Sequence, residues 1–232
     1  GRGDGRTKAH ASALAEAHAD LAVIVPEKAR GEEIAEAVRN LGGDVTILLW
    51  DTHDVPGIQK LVEQVVSQLG KVDILVNDLS AEFAKPFAEM SVDEWRRALD
   101  MNLTGVFFAC RAASSHMLER QQGRIINVAS ALGARAVVNS SAYCTAMGGL
   151  LQLTRALALE WARHNIRVNA IAPGWIVDSP DELPDTVRRY IPMQRWGRAE
   201  DLGGLLVYLA SGHCHFITGE AIFVDGGVMT RT

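Results

Sequence analysis

The side chains able to do chemistry in this sequence gather at few places. A phenol, Tyr143, stands in the run YCTAMGGL (143–150), four residues before Met147, and a hydroxyl, Ser130, lies thirteen residues ahead of it. An unassisted phenol has a pKa of about 10, so at neutral pH it can give a proton but not take one up. A glycine-rich run, GRGDG (1–5), reads as a loop that follows a β-strand. His213, Cys214 and His215 are adjacent and suggest a metal, yet neighbours in a short loop rarely converge without further ligands, which favours a plain loop. The cysteines Cys110, Cys144 and Cys214 have no paired spacing. Their odd number argues against a disulfide framework and for a reducing, cytoplasmic setting.

These groups need a scaffold, and 232 residues, 48% of them hydrophobic, suffice for one domain with a sizeable core. The net charge of −5, with no run of Lys and Arg beyond two residues, argues against a nucleic-acid groove or an anionic membrane surface. The longest apolar stretches fall far short of a membrane span, and the first 25 residues contain no continuous apolar signal-peptide core. Along the chain, apolar β-type runs alternate with helical periodicity. Strands are expected at 21–25, 44–51, 72–78, 123–130, 166–174 and 220–227, and helices at 32–42, 55–70, 91–123, 141–165 and 199–211. Ser91 and Glu94 have the spacing of a capping box, Pro56 falls in a first helical turn, and Gly70 marks a helix end. The strands are nearly continuous apolar runs, which predicts a parallel sheet covered by helices on both faces. The fold class expected over 1–232 is therefore a single doubly wound α/β domain of Rossmann type. In such a sheet GRGDG would follow a first, central strand, so a strand ahead of Gly1 is expected. The alternative is a glycine-rich start that leads into a first helix.

The order and spacing of several segments carry a resemblance. VDILVND (72–78), MNLTGVFFACRAA (101–113), GRIINVAS (123–130), the Ser130–Tyr143 spacing, IRVNAIAPG (166–174) and the carboxy-terminal IPMQRWGRAEDLGGLLVYLAS…FITGEAIFVDGG resemble the short-chain dehydrogenase/reductase family. The likeness runs from GRGDG to FVDGG and implies an NAD(P)-binding oxidoreductase that acts on CH–OH groups, usually tetrameric through two long helices, here around Trp95–Leu118 and Tyr143–Arg163. Reduction of a carbonyl needs a proton donor and a group that positions the oxygen. The resemblance assigns the first role to Tyr143, the second to Ser130, and support of a water chain to Asn102. It also implies cofactor contacts at Gly1, Gly5, Asp51, Asn77, Pro173 and Gly174.

Departures from the family pattern cluster on the cofactor. Met147 stands where the family has a lysine that binds the nicotinamide ribose and lowers the tyrosine pKa. Thr7 replaces the third glycine of the phosphate loop, whose role is close helix packing. Asp4, ahead of Gly5, would repel a 2′-phosphate, and Val25 followed by Pro26 fills the slot of an acidic ribose partner. The family's Asn-Asn-Ala-Gly reads Asn77-Asp78-Leu79-Ser80, so Ser80 and Leu79 crowd a backbone approach that glycine would leave open. Asp178 stands where a threonine would meet the nicotinamide amide. The carboxy-terminal assembly segment, by contrast, is nearly intact.

This asymmetry leads to three readings. The first is a non-catalytic subunit paired with an active homologue in a heterotetramer that handles an alcohol or acyl-CoA substrate, with no dinucleotide of its own. The second is an active NAD(P)-dependent reductase of small molecules, in a homo- or hetero-oligomer, using Ser130 and Tyr143 without the lysine. The third is a non-redox, dehalogenase-like lyase, although such relatives carry arginine where this chain has Met147. Val177–Tyr190 is expected to form a lid, and Trp175 either lines a substrate pocket or packs on the sheet.

Overall fold

The computed structural model describes residues 5–178 and 183–230. Its first element is a helix, α1 (Gly5–Glu16), followed by β1 (Leu21–Val25), α2 (Lys28–Asn40), β2 (Val45–Leu49), α3 (Ile58–Leu69) and β3 (Ile74–Asn77). The predicted strand ahead of Gly1 and the residue Gly1 itself lie outside the described residues. Pro56 precedes α3 rather than lying inside it, and Gly70, at φ 80°, closes that helix.

The predicted helix over 91–123 is two helices with a different turn between them. α4 (Val92–Leu99) and α5 (Gly105–Arg120) are joined by a π-helical turn at Asp100–Thr104. The expected capping box opens α4. Glu94 N–H donates to Ser91 Oγ at 3.2 Å, and Ser91 N–H donates back to the Glu94 carboxylate at 2.8 Å. Then come β4 (Gly123–Val128), α6 (Ser141–Trp161), β5 (Ile166–Pro173), a short α7 (Asp185–Arg188), α8 (Glu200–Ala210) and β6 (Ala221–Val224).

Every strand pair is parallel, in a two-stranded sheet β1-β2 and a four-stranded sheet β3-β4-β5-β6. An open cavity of about 860 Å³ runs between the two, with Ala22, Val62, Leu75 and Val76 among its walls. The near-continuous apolar character of the strands follows from burial on both faces. Ile125 packs with Val62, Ala109, Met117 and Leu150 of α3, α5 and α6, while the next residue, Ile126, packs with Leu14, Leu202 and Leu206 of α1 and α8. Burial of each such side chain contributes roughly 1.5–3 kcal/mol, so β4 is the spine of the core. A smaller core joins α1 and α2 to β1 through Ala11, Val25, Ile34 and Val38. The layers are helix, sheet, helix, a Rossmann-type α/β fold in which the strand ends at Val25, Asn77, Val128 and Pro173 carry the loops of interest. Among the described residues no helix is long and apolar enough to cross a membrane.

Candidate functional site

Tyr143 lies in the first turn of α6, and Ser130 follows β4 directly. The Tyr143 phenol is buried and meets two serine hydroxyls. Ser80 Oγ, just beyond β3, lies 2.9 Å from Tyr143 Oη, with either oxygen able to donate. The Ser130 hydroxyl lies close enough to the phenol to favour its ionised form. Ser130 Oγ in turn accepts from Leu132 N–H at 3.2 Å, which fixes its rotamer. The parallel sheet thus brings hydroxyls from the ends of adjacent strands to one oxygen. Burial pushes the Tyr143 phenol above its ordinary pKa, and the Ser80 and Ser130 hydroxyls offset only part of that rise. The Tyr143 phenol is therefore protonated at neutral pH.

Asn102 lies in the π-helical turn and is fully buried. Its Oδ1 accepts from Ala81 N–H at 2.7 Å, and its Nδ2 donates to Ala81 O at 3.0 Å and Ala98 O at 2.8 Å. A π turn holds one residue more than an α turn. Here that extra residue presents Asn102 to the loop just after Ser80. Asn102 acts on the site through this backbone, because none of its three bonds is to Tyr143 or Ser130.

Met147, one turn after Tyr143, is fully buried in the main core. A Cβ at Gly133 would lie 2.8 Å from its carbonyl oxygen, so the turn after Ser130 presses on α6 at this point.

The residues at the positions that the resemblance gives to the cofactor, and their neighbours, are differently arranged. Asp78 is buried with three partners from α1, namely Arg6 Nε at 3.1 Å, His10 Nδ1 at 3.3 Å and the Thr7 hydroxyl at 3.4 Å. Burial alone would raise its pKa, but the Arg6 guanidinium and the His10 hydrogen bond hold the carboxyl far below the usual range. Gly5, the first residue of α1, faces Asp178, and a Cβ there would lie 2.5 Å from Asp178 Oδ1. Asn77 turns to the other face. Its Nδ2 donates to Asn127 Oδ1 at 2.9 Å and contacts Cys110 Sγ at 3.3 Å, while Asn127 Nδ2 donates to Thr154 Oγ1 at 2.9 Å. Asp51 is exposed after β2 and accepts from His53 N–H. Pro173 ends β5, and Gly174 donates to Val224 O at 3.0 Å where a Cβ would meet Asp225 Cα at 2.8 Å.

The structure therefore brings Ser130 and Tyr143 together, ties Asn102 to Ala81 next to Ser80, and spreads Asp51, Asn77, Pro173 and Gly174 over three strand ends, with Gly5 at the start of α1. Sequence reasoning treated Ser80 only as bulk, although a hydroxyl in a glycine slot was the signal of a polar contact. Arg6 and His10 were not singled out. Their signal was Asp78, a charge at the end of an apolar strand that required a partner. The lid expected at 177–190 lies partly outside the described residues. Trp175 is largely exposed and borders a pocket of about 180 Å³ with Ile191, Met193 and Asp225.

A parallel α/β fold with a serine after a strand and a tyrosine in the next long helix defines a class of dinucleotide-dependent oxidoreductases, and the comparisons with known proteins agree. The family described as enoyl-(acyl carrier protein) reductase matches residues 4–229. A 3-oxoacyl-[acyl-carrier-protein] reductase of Staphylococcus aureus is 34% identical over 233 residues, covering 98% of this chain and 94% of its own. The 2-dehydro-3-deoxy-D-gluconate 5-dehydrogenase of Escherichia coli is 34% identical over 207 residues, 86% of this chain and 82% of that protein. Among solved structures, an acetoin dehydrogenase from Salmonella typhimurium superposes with a TM-score of 0.92 at 30% identity, covering 99% of this chain and 95% of that one. The chain belongs to the short-chain dehydrogenase/reductase family, and it also superposes on an NAD⁺-bound xylitol dehydrogenase at 28% identity with a TM-score of 0.91, covering 97% of this chain and 95% of that one.

Proposed function

We propose that this chain is an oxidoreductase-family subunit that holds no dinucleotide of its own and serves as the non-catalytic partner of an active homologue in a heterotetramer. The observation that carries the reading is the Asp178 carboxylate against Gly5. A helix N-terminus attracts anions through its free N–H groups and dipole, and here the chain's own carboxylate stands at that end of α1. The residues present do not fit NAD(P). The phosphate-side glycine faces an acid, the strand-end Asp78 is consumed by Arg6 and His10, Met147 offers no charge, and Ser80 rests on the phenol. The substrate of the assembly would be a small alcohol or ketone, or an acyl-CoA. Calorimetric titration of the isolated chain with NADH and NADPH, beside native mass spectrometry with and without a co-expressed homologue, tests the reading. No saturation and a mixed tetramer are expected, whereas micromolar binding by a homotetramer overturns it.

A second reading, an NAD(P)-dependent carbonyl reductase, is favoured by the intact hydroxyl group of Ser80, Tyr143 and Ser130. In it the protonated phenol of Tyr143 gives its proton to the carbonyl oxygen that Ser130 positions. Loss of all carbonyl reduction on Tyr143→Phe would support it, and a homogeneous preparation with no such activity counts against it.

A further inference from the structure

The altered positions do more than remove contacts. Two of them supply groups that stand in the cleft themselves. Ser80 and the Tyr143 phenol are both nearly inaccessible, at 2% and 4% relative exposure. The oxygen that any ligand would need is bonded from within the chain at 2.9 Å. Asn102 keeps this arrangement in place, because it grips both the N–H and the carbonyl of Ala81 and so fixes the backbone just after Ser80. At the other end of the cleft, both Asp178 oxygens and Cγ lie within 3.3 Å of where a Cβ on Gly5 would be, so the open side of that glycine is taken. A glycine at such a point leaves room for close backbone approach, and in this chain the approaching group is a carboxylate.

We propose that the chain carries an internal block of its dinucleotide cleft, with Ser80 capping the phenol of Tyr143 and Asp178 holding the N-terminus of α1, and that exchange of these two residues reopens it. The proposal rests on the reading that the native chain binds no dinucleotide. It adds that occupancy by its own side chains, rather than the missing lysine, is what keeps the ligand out. The carboxylate acts through charge and space against a diphosphate, and Ser80 acts through both its bulk and its hydrogen bond. Asp178 is exposed.

The experiment compares the native chain with Asp178→Thr, Ser80→Ala, Ser80→Gly and the double variant Ser80→Gly/Asp178→Thr. Each is titrated with NADH and NADPH by calorimetry and nicotinamide fluorescence, with thermal melting to confirm the fold. The double variant is expected to bind at least tenfold more tightly than the native chain, and Asp178→Thr to show several-fold of that gain alone. Ser80→Gly should exceed Ser80→Ala if space matters beyond the hydrogen bond. Micromolar binding by the native chain overturns this proposal together with the reading beneath it. A folded double variant that binds no better than a non-binding native chain overturns the block alone and leaves the non-catalytic reading standing. Should the double variant fail to fold, Asp178→Thr decides, and a failure to gain affinity there counts against the proposal.

Discussion

Asn77 and Asp78 are neighbours in sequence and anchor two opposite kinds of buried polar cluster. Asn77 faces α5 and α6, where it joins Asn127, Thr154 and Cys110 in a chain of neutral hydrogen bonds. Asp78 faces α1, where Arg6, His10 and Thr7 surround a charge. The neutral side needs nothing beyond matched donors and acceptors. Thr154 even closes its end on Leu150 O at 2.9 Å. The charged side survives burial only because another element brings the counter-charge. One strand end thus separates a self-contained interior from a mouth whose stability depends on ionisation.

The largest effect is expected from removal of the charge at the mouth. Asp78→Ala leaves Arg6 and His10 facing an emptied buried site, and loss of one partner of a buried pair costs about 3–5 kcal/mol. Chemical denaturation should show this as a lowered midpoint, and an unchanged midpoint would erase the distinction between the two sides. The same carboxyl predicts acid sensitivity. Its folded pKa is depressed, so its contribution is complete above the unfolded value of about 3.9 and is lost as pH falls below it. Stability measured from pH 6 downward should fall less steeply in Asp78→Ala than in the native chain.

Asn127→Ala breaks the neutral chain at its centre, leaving Asn77 Nδ2 only Cys110 Sγ and Thr154 Oγ1 only Leu150 O, for an expected loss of about 1–3 kcal/mol. Unlike Asp78→Ala, this loss should be nearly independent of pH between 3 and 6 on the same denaturation curves, which is the sharpest form of the comparison. A smaller, spectroscopic contrast concerns Tyr143. Its tyrosinate absorbance should appear only above the ordinary pKa of about 10, because burial raises it. Tyr143→Phe identifies which part of the absorbance change belongs to it. The smallest effect belongs to neither side. Ser91→Ala removes the α4 cap at a cost of about 1 kcal/mol and should leave the pH profile of stability unchanged.

The local rules were legible where they act over a few residues. Ser91 and Glu94 announced the start of α4, Gly70 the end of α3, and the doubled apolar character of 123–128 a strand buried on both faces. The Ser130–Tyr143 pair was legible through its spacing in a recognised pattern. What escaped was long in range or low in signal. Arg6 and Asp78 are 72 positions apart, and Ser80 meets Tyr143 across 63, so only the folded sheet brings them together. The turn between α4 and α5 has ordinary helical composition, and the helical period alone predicted one continuous helix.

That turn carries a consequence for how this chain tolerates changes in length. The extra residue in Asp100–Thr104 sets the angular phase of everything after it. One residue of an α-helix spans about 100° of rotation. Deleting a single residue between 100 and 104 would turn α5 by that angle relative to α4. Ala109, Ala113 and Met117, now against the sheet, would swing toward solvent, and Arg111 and Ser115 toward the core. A one-residue deletion in this short segment is therefore a frame error for sixteen residues of helix, whereas the same deletion in an exposed loop would be absorbed where it occurs.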